Sequence, residues 1–287
     1  MLYMALISTL VHKLRKTLFS NLFNTIISLV FIFIISVVCL NSFEWLIFKA
    51  NWKVVTSNLP LYAFGSFPSN EQWRPATWII SLLSLSFITL FGPEWKWLRK
   101  NLFILWAATI PLGLYLLYGG MGLQPINSRH WGGLTLTILL TSCSSLLSLP
   151  LGIVLALCRQ SSLPLIQKTS SIYIDVMRAV PLIAVLFFGQ LLIPLFLPVG
   201  IEIDRVWRAV LAFTLFVSAY VAEDIRGGLQ SIPSTQIEAA NSLGLNQYQI
   251  IQFILIPQAL RIALPALTNQ SIGLFQNTSL MAILGLV

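Results

Sequence analysis

Long apolar runs alternate with short charged or Pro/Gly-rich connections along the 287 residues of this chain. A helix needs about 20 such residues to cross a hydrocarbon core of about 30 Å. Because backbone groups in lipid must be hydrogen-bonded within their own segment, open sheets are excluded. The pattern therefore predicts an all-α integral membrane bundle whose seven candidate spans are 26–48, 76–92, 102–118, 132–157, 170–196, 206–222 and 260–276.

The composition supports a membrane protein and argues against nucleic-acid binding. Hydrophobic residues make up 57% of the chain and charged residues only 9%, against about 25% charged residues in soluble domains. The net charge of +8 comes from 17 Lys and Arg residues that are scattered at the ends of the apolar runs. Charges in such positions set the orientation of the spans.

The distribution of basic residues predicts a cytoplasmic N-terminus. Ten basic residues fall on the side of the N-terminus and six on the other, and the side richer in Lys and Arg is the cytoplasmic one. Lys13, Arg15 and Lys16 precede an apolar run at 26–43, which is too long for a secretory signal and lacks an A-x-A cleavage pattern. We expect a retained first span and a cytoplasmic loop at about 223–259.

A change of composition near Ser128 predicts two regions. Residues 1–128 hold three spans and a polar loop at about 49–75 that we place outside, and residues 129–287 are rich in Gly, Pro and small polar residues. Gly and Pro in membrane helices mark either close packing or local breaks that line a cavity. Both explanations stay open for Pro181 and the other Gly and Pro residues of this region.

A polar segment after the sixth candidate span predicts a helix, a glycine turn and a second helix. Thr235 and Glu238 fit a capping box that starts a helix. Gly244 fits the left-handed residue that ends one. Asn246 is suited to cap the next helix, which Pro257 ends or kinks.

The same segment has the character of a docking surface. Between Gly227 and Leu260 the only charged side chain is Glu238, so this is a poor solvated loop and a good partner surface. Ala240 and Gly244 are spaced i, i+4, and small residues on one face would let a partner approach closely. The alternative is an amphipathic helix on the inner leaflet, but such helices carry Lys and Arg on their polar face.

The segment resembles the signature EAA-x3-G-x9-I-x-L-P of the membrane subunits of ABC importers. The matching residues are Glu238, Ala239, Ala240, Gly244, Ile254 and Pro257. Ile256 occupies the usual place of Leu, Thr235 a place where Gly is common, and Gln276-Asn277 a place where Lys-Asp is common. Further segments resemble the polar amino-acid uptake branch of these permeases, at 178–181, 222–230, 255–261 and 278–280.

The resemblance runs from about Trp131 to the C-terminus, and with three spans before it the chain is similar to the long permease subunits of general L-amino-acid importers. It implies a type I ABC importer transmembrane domain (MetI-like) in the bacterial inner membrane, for polar or general L-amino acids. The implied partners are a cytoplasmic ABC ATPase dimer, a second permease in a homo- or heterodimer, and a periplasmic amino-acid-binding protein. The residues implied to contact the ATPase are Glu238, Ala239, Ala240, Gly244 and Pro257.

We expect no enzymatic activity, cofactor or metal in the chain itself. No G-x-x-x-x-G-K-[ST] motif is present, so ATP is expected to bind only to the partner ATPase. Three cysteines lack metal or redox spacing, and His12 and His130 alone do not make a metal site. The alternatives are a membrane-embedded transferase, which would need an activated base or a metal, and a secondary transporter, which would show repeated halves.

Ionisable residues in or beside membrane spans indicate a functional role. Asp175, Arg178, Glu223 and Asp224 are in such positions. Together with Pro181, Asp175, Arg178 and Glu223 are candidates for the pathway or its gate. Asp175 and Arg178 are spaced i, i+3 and are predicted to pair with each other, which we favour over contact with substrate.

The end of the chain suggests a missing span. The sequence ends at Val287, shortly after Thr278, where the resembled family continues into one more span and a basic cytoplasmic tail. The core would then have four spans where five are expected, and its last helix would meet lipid where it should meet protein. We expect a truncated gene product that is less stable and transport-deficient alone.

The charge asymmetry predicts the outcome of a reporter experiment. A reporter that is active only in the periplasm should be active when fused near Asn127 and inactive when fused near Gln236. The reverse pattern would invert the topology and place the EAA segment out of reach of any cytoplasmic ATPase.

Overall fold

The computed structural model describes residues 16–92, 95–198, 200–283 and 285. The predicted features at His12, Lys13 and Arg15, and at residues 284, 286 and 287 near the end of the chain, lie outside these residues. All regular elements within the described residues are helical. This confirms the all-α prediction.

A first compact unit extends to Asn58. Its long helix α1, Leu22–Glu44, continues through a π-helical turn, Trp45–Lys49, and is followed by the short helix α2, Trp52–Ser57. Asn21 caps α1 by accepting a hydrogen bond from the backbone N–H of Asn24 at 2.7 Å. None of the side chains of α1 is buried, and Leu22–Lys49 is long and apolar enough to cross a membrane. The predicted first helix is confirmed.

The second unit, from Leu59 onward, begins with elements that cover the predicted polar loop and the next two spans. These are α3 (Leu59–Phe64), a 3₁₀ turn (Ser69–Glu71), α4 (Trp73–Phe91) and α5 (Lys96–Tyr118). The buried indole of Trp78 donates its Nε1–H to the Thr109 carbonyl at 2.8 Å, which fixes α4 against α5. Part of the predicted loop at 49–75 is therefore helical.

The core of the second unit is built around one central helix. The remaining helices in chain order are α6 (Gly133–Arg159), α7 (Pro164–Ala179), α8 (Leu182–Phe187), α9 (Ile193–Phe196), α10 (Arg205–Gln230), α11 (Ser234–Ser242), α12 (Gln247–Gln249) and α13 (Ile256–Asn277). Helix α10 packs against α6, α7, α8 and α13. Phe213, Ala219 and Ile225 of α10 are fully buried, so this helix is the centre of the core.

The predicted span 170–196 is wrong as a single straight helix. Helix α7 and the segment Leu182–Phe196 meet at an angle of 106°. Pro181 is the N-cap of α8, and Val180 before it is extended, with φ −83° and ψ 135°. A proline lacks the N–H that would continue the helix and forces the preceding residue out of the helical region. The break is therefore encoded at Pro181.

Two predicted boundaries also move. Helix α10 ends at Gln230 and not near residue 222, so Glu223 lies on this helix and not in a loop. Pro257 does not end the last helix, since one apolar helical span runs over Gln247–Ala282. A π-helical segment, Ile250–Leu255, precedes Pro257. Its wider turn accommodates a proline that cannot donate to the preceding turn.

The two compact units divide at residues 58 and 59. The division at 128 and 129 into an extension and a transport core concerns function and stays a prediction.

Gly227 and Gly228 provide a matched test of the crossing between α10 and α13. A Cβ added at Gly228 would lie 2.5 Å from the Ala259 carbonyl oxygen, whereas one added at Gly227 would have no neighbour within 4 Å. Gly228→Ala should destabilise the protein by about 1–3 kcal/mol through overpacking. Gly227→Ala should stabilise it by up to about 1 kcal/mol, because alanine loses less backbone entropy in a helix. Thermal unfolding in detergent measures both, and equal shifts would contradict the close crossing.

Candidate functional site

The EAA segment forms a helical hairpin with a glycine turn. Helix α11 ends in a Schellman motif: the Leu245 N–H donates to the Ala240 carbonyl at 3.2 Å and the Gly244 N–H to the Asn241 carbonyl at 2.9 Å. Gly244 has φ +75°, a left-handed conformation that costs glycine little. The predicted stop at Gly244 is confirmed.

The two helix starts of the hairpin give opposite outcomes for the prediction. Pro233 is the N-cap of α11 and makes no side-chain capping bond, so the predicted capping box at Thr235 is wrong. The fixed φ of proline lets the helix begin at the residue that follows it. A capping box does form at the second start, where Asn246 and Gln249 each accept the other's backbone N–H at 2.9 Å. The predicted cap at Asn246 is confirmed.

The exposed surface of the hairpin carries large apolar side chains among uncharged polar ones, with Glu238 as its charged residue. Leu243 is 80% exposed and Tyr248 is 71% exposed, and Glu238 and Ala239 are exposed beside them. Ala240 is only 1% exposed, so the prediction that it shares an exposed face with Gly244 is wrong. Ala240 instead faces inward, where α11 packs on the segment that follows α12. Its small side chain serves the packing of the hairpin itself.

A cluster of charged side chains joins three helices near the end of α10, the helix that precedes this hairpin. We call it the ion cluster. The Glu223 carboxylate of α10 contacts the guanidinium of Arg159 on α6 at 2.8 Å, of Arg178 on α7 at 3.3 Å and of Arg226 on α10 at 2.8 Å. Arg226 binds in a forked manner, with a second bond from Nε at 3.1 Å. The Glu223 side chain is only 15% exposed. Charge-assisted bonds of this kind offset the cost of removing the charges from water.

Asp175 and Arg178 do not pair with each other as predicted. Asp175 contacts Arg159 at 3.0 Å, and Arg178 contacts Glu223. Both partners lie on other helices, so these ion pairs connect α7 to α6 and α10. The predicted i, i+3 pair would have stabilised α7 alone. Asp224, the neighbour of Glu223, interacts with Gln270 of α13.

Two tyrosines, Tyr173 and Tyr220, connect α7 with α10. The Tyr173 hydroxyl donates to the Leu215 carbonyl at 2.8 Å. The Arg178 guanidinium lies 5.7 Å from the centre of the Tyr220 ring, within the range of a cation–π contact. Pro181 is three residues beyond Arg178, so the bend between α7 and α8 begins close to this contact.

An open cleft of about 410 Å³ lies between α4 and α5 on one side and α6, α10 and α13 on the other. Its lining is largely apolar, with hydroxyl groups from Ser142, Ser145 and Ser148 of α6 and from Thr268 and Ser271 of α13. The Ser145 hydroxyl is buried without a hydrogen-bond partner. The sequence analysis missed this feature, although three serines spaced i, i+3, i+6 on an apolar helix were the available signal.

Within the described part of the chain, no group of three or more His, Cys, Asp and Glu side chains is arranged to hold a metal ion. The expectation that the chain carries no cofactor stays a prediction.

The all-helical fold and the EAA hairpin with its glycine turn are those of a membrane permease subunit of the ABC transporter class. The family described as "Binding-protein-dependent transport system inner membrane component" matches residues 148–286. The inner membrane amino-acid ABC transporter permease protein YhdY of Escherichia coli is 36% identical over 95% of this chain and 78% of the relative. This chain belongs to that family and is a multi-pass inner-membrane protein.

A second relative agrees with this assignment. The glutamate/glutamine/aspartate/asparagine transport system permease protein BztC of Rhodobacter capsulatus is 43% identical over 58% of this chain. That match spans only 38% of the length of the relative. A crystal structure of an amino acid ABC transporter with histidines is 34% identical, covers 53% of this chain and 70% of its own, and has a TM-score of 0.47.

The ion cluster predicts unequal effects for its two acids. Glu223→Gln should lower the free energy of unfolding by about 3 kcal/mol, because it leaves Arg178 and Arg226 without a carboxylate and leaves Arg159 with Asp175 alone. Asp175→Asn should lower it by at most about 1 kcal/mol, because the Asp175 side chain is 60% exposed and makes one ion pair. Thermal unfolding of the purified protein in detergent measures both changes. A loss for Asp175→Asn as large as that for Glu223→Gln would show that Glu223 is not the centre of the cluster.

Proposed function

We propose that this chain is the pathway-forming permease of an ATP-driven importer of polar or general L-amino acids, and that its EAA hairpin docks on a separate ATPase. The observation that carries this proposal is the exposed hairpin surface, which presents Leu243, Tyr248 and the lone acid Glu238. Large exposed apolar side chains on a surface with a single charge are well suited to a protein partner. Amino acids enter the proposal through the names of the relatives YhdY and BztC.

The partners in this proposal are a cytoplasmic ABC ATPase dimer, a second permease subunit and a periplasmic amino-acid-binding protein. The family name itself refers to binding-protein-dependent transport. ATP binds only to the partner ATPase, and the chain itself needs no cofactor. With the N-terminus in the cytoplasm, the hairpin lies on the same side as the ATPase.

Helix α10 supports a route from the hairpin to the pathway. The ion cluster at Glu223 and the close crossing at Gly228 lie in its last turns, directly before α11. A force on the hairpin would therefore act on the joint between α6, α7 and α10. Alternating access requires two arrangements of such a joint that differ in their contacts. Asp175, Arg178, Pro181 and Glu223 act in this proposal as gating residues.

The coupling proposal predicts that Glu238→Lys and Gly244→Asp each abolish co-purification of the ATPase and ATP-dependent uptake while membrane insertion stays intact. The first change reverses the only charge of the docking surface. The second adds a charged side chain at a residue with φ +75°. Affinity purification of the assembled complex and uptake into proteoliposomes measure the two effects.

The chain offers a matched control for each variant. Glu44→Lys makes the same charge change at an exposed acid outside the hairpin. Gly120→Asp places the same side chain at another glycine with positive φ, +97°, and open space around it. Both controls should retain the ATPase. Wild-type recovery of the ATPase with Glu238→Lys and Gly244→Asp would refute docking through the hairpin.

A further inference from the structure

Three arginines surround a polar pocket where the 3₁₀ turn Ser128–His130 meets the start of α10. The pocket has a volume of about 280 Å³, and Arg129, Arg205 and Arg208 line it together with Glu202 and Asp204. It lies at the end of α10 opposite to the ion cluster, which is the outer end in the predicted topology.

Two arginines of this pocket, Arg205 and Arg208, donate hydrogen bonds to backbone carbonyl oxygens. The arginines of the ion cluster instead bind a carboxylate. Arg205 donates to the carbonyl oxygens of Gly285 at 3.0 Å and Ser128 at 3.4 Å, and Arg208 donates to that of Gln190 at 2.8 Å. The Nε atoms of Arg205 and Arg208 are buried without a hydrogen-bond partner. Neighbouring charges act on Arg205 in both directions, since Asp204 attracts it and Arg129 and Arg208 repel it.

The acid closest to these arginines is already engaged. Asp204 accepts hydrogen bonds from the Ser128 hydroxyl at 2.5 Å and from the Val206 backbone N–H at 2.8 Å, where it caps α10. Asp204 is therefore held as a helix cap and does not form an ion pair within 4.0 Å among the described residues. Glu202 is exposed at the rim. Three guanidinium groups thus share a small cavity with two carboxylates, those of Asp204 and Glu202, which leaves one positive charge in excess.

We propose that this pocket receives the α-carboxylate of the transported amino acid before the amino acid enters the membrane part of the permease. The guanidinium fork matches a carboxylate through paired N–H···O bonds. The N-terminus of α10 adds a favourable field for an anion, and Glu202 is available to the ammonium group. The size of the pocket is near the lower end of the about 300–1,000 Å³ usual for small-molecule sites, which suits a single free amino acid. This inference rests on the proposed function.

The test uses the complex of this chain with its ATPase and second permease in lipid nanodiscs, without the binding protein. The probes are L-glutamine and L-glutaminol, which differ only in the carboxylate, and their binding is measured by saturation-transfer NMR titration. We expect L-glutamine to bind at least about tenfold more tightly than L-glutaminol, as the loss of a charge-assisted bond predicts. Equal binding of the two probes, or no binding of L-glutamine, would overturn the proposal.

The variants locate the site. Arg129→Gln and Arg208→Gln should each weaken L-glutamine binding about tenfold. Arg129 is exposed, so its substitution tests the pocket even where loss of the Arg208 bond to Gln190 impairs folding. Lys53→Gln removes a positive charge that lies outside the pocket on the same predicted side of the membrane. This control should leave binding of L-glutamine unchanged. Unchanged binding of L-glutamine by both arginine variants would overturn the assignment to this pocket.

The binding protein distinguishes two sources of carboxylate. If the arginine variants weaken docking of the binding protein but leave binding of free L-glutamine unchanged, the pocket is a protein-docking surface and the proposal is wrong. ATP hydrolysis stimulated by the loaded binding protein separates this result from failure of the proposed function. Stimulation in the wild-type complex with an unchanged KM in the variants refutes only the pocket, whereas no stimulation in the wild type refutes the importer.

Discussion

The carboxylate of Glu223 is the contact on which the arrangement of the core depends. Guanidinium groups from α6, α7 and α10 all contact it. A partly buried charge at any of these positions is costly without a partner of opposite charge. The consequence is geometric as well as energetic. The end of α7 is fixed before the chain bends by 106° into the segment that begins at Leu182, so the bend starts from a defined position.

The same helix that carries Glu223 leads into the EAA hairpin. After Arg226, α10 meets α13 at Gly228, where the backbones are so close that an added Cβ would lie 2.5 Å from the Ala259 carbonyl oxygen. Interfaces packed this closely do not deform continuously. A displacement of the hairpin is therefore more easily passed to the ion cluster than absorbed in the loop between them. This makes α10 a rigid link between the EAA hairpin, the proposed docking surface, and an interhelical joint.

The local features of this fold could be read from the sequence, and those that depend on tertiary contacts could not. Gly244 and Asn246 act within a few residues of themselves, and both behave as their chemistry predicts. Ala240 was assigned to the wrong face because its burial depends on how α11 packs on the segment after α12. Arg159 was not foreseen as a partner of Glu223, since 64 positions separate the two residues in the sequence.

Two prolines show why the same residue type marks a helix end at one position and not at another. Pro181 breaks the helix because Val180 before it adopts an extended conformation. Pro257 does not, because a π-helical segment ahead of it leaves the helical span Gln247–Ala282 uninterrupted. The sequence shows in both cases that proline lacks the backbone N–H. It does not show the wider π-helical turn that compensates for this loss before Pro257.

The two ends of α10 differ in how their charges are satisfied, and this difference gives the helix a direction. At one end a carboxylate is saturated by guanidinium groups from three helices. At the other end, Arg205 and Arg208 donate to carbonyl oxygens beside the helix N-terminus, where the helix dipole adds to their positive potential. An anion gains more from the second end than from the first, because Arg205 and Arg208 donate to carbonyl oxygens there, whereas the guanidinium groups at the first end already hold the Glu223 carboxylate. A substrate carboxylate would therefore be attracted to the end of α10 opposite to the hairpin, while the ion cluster resists intrusion at the other.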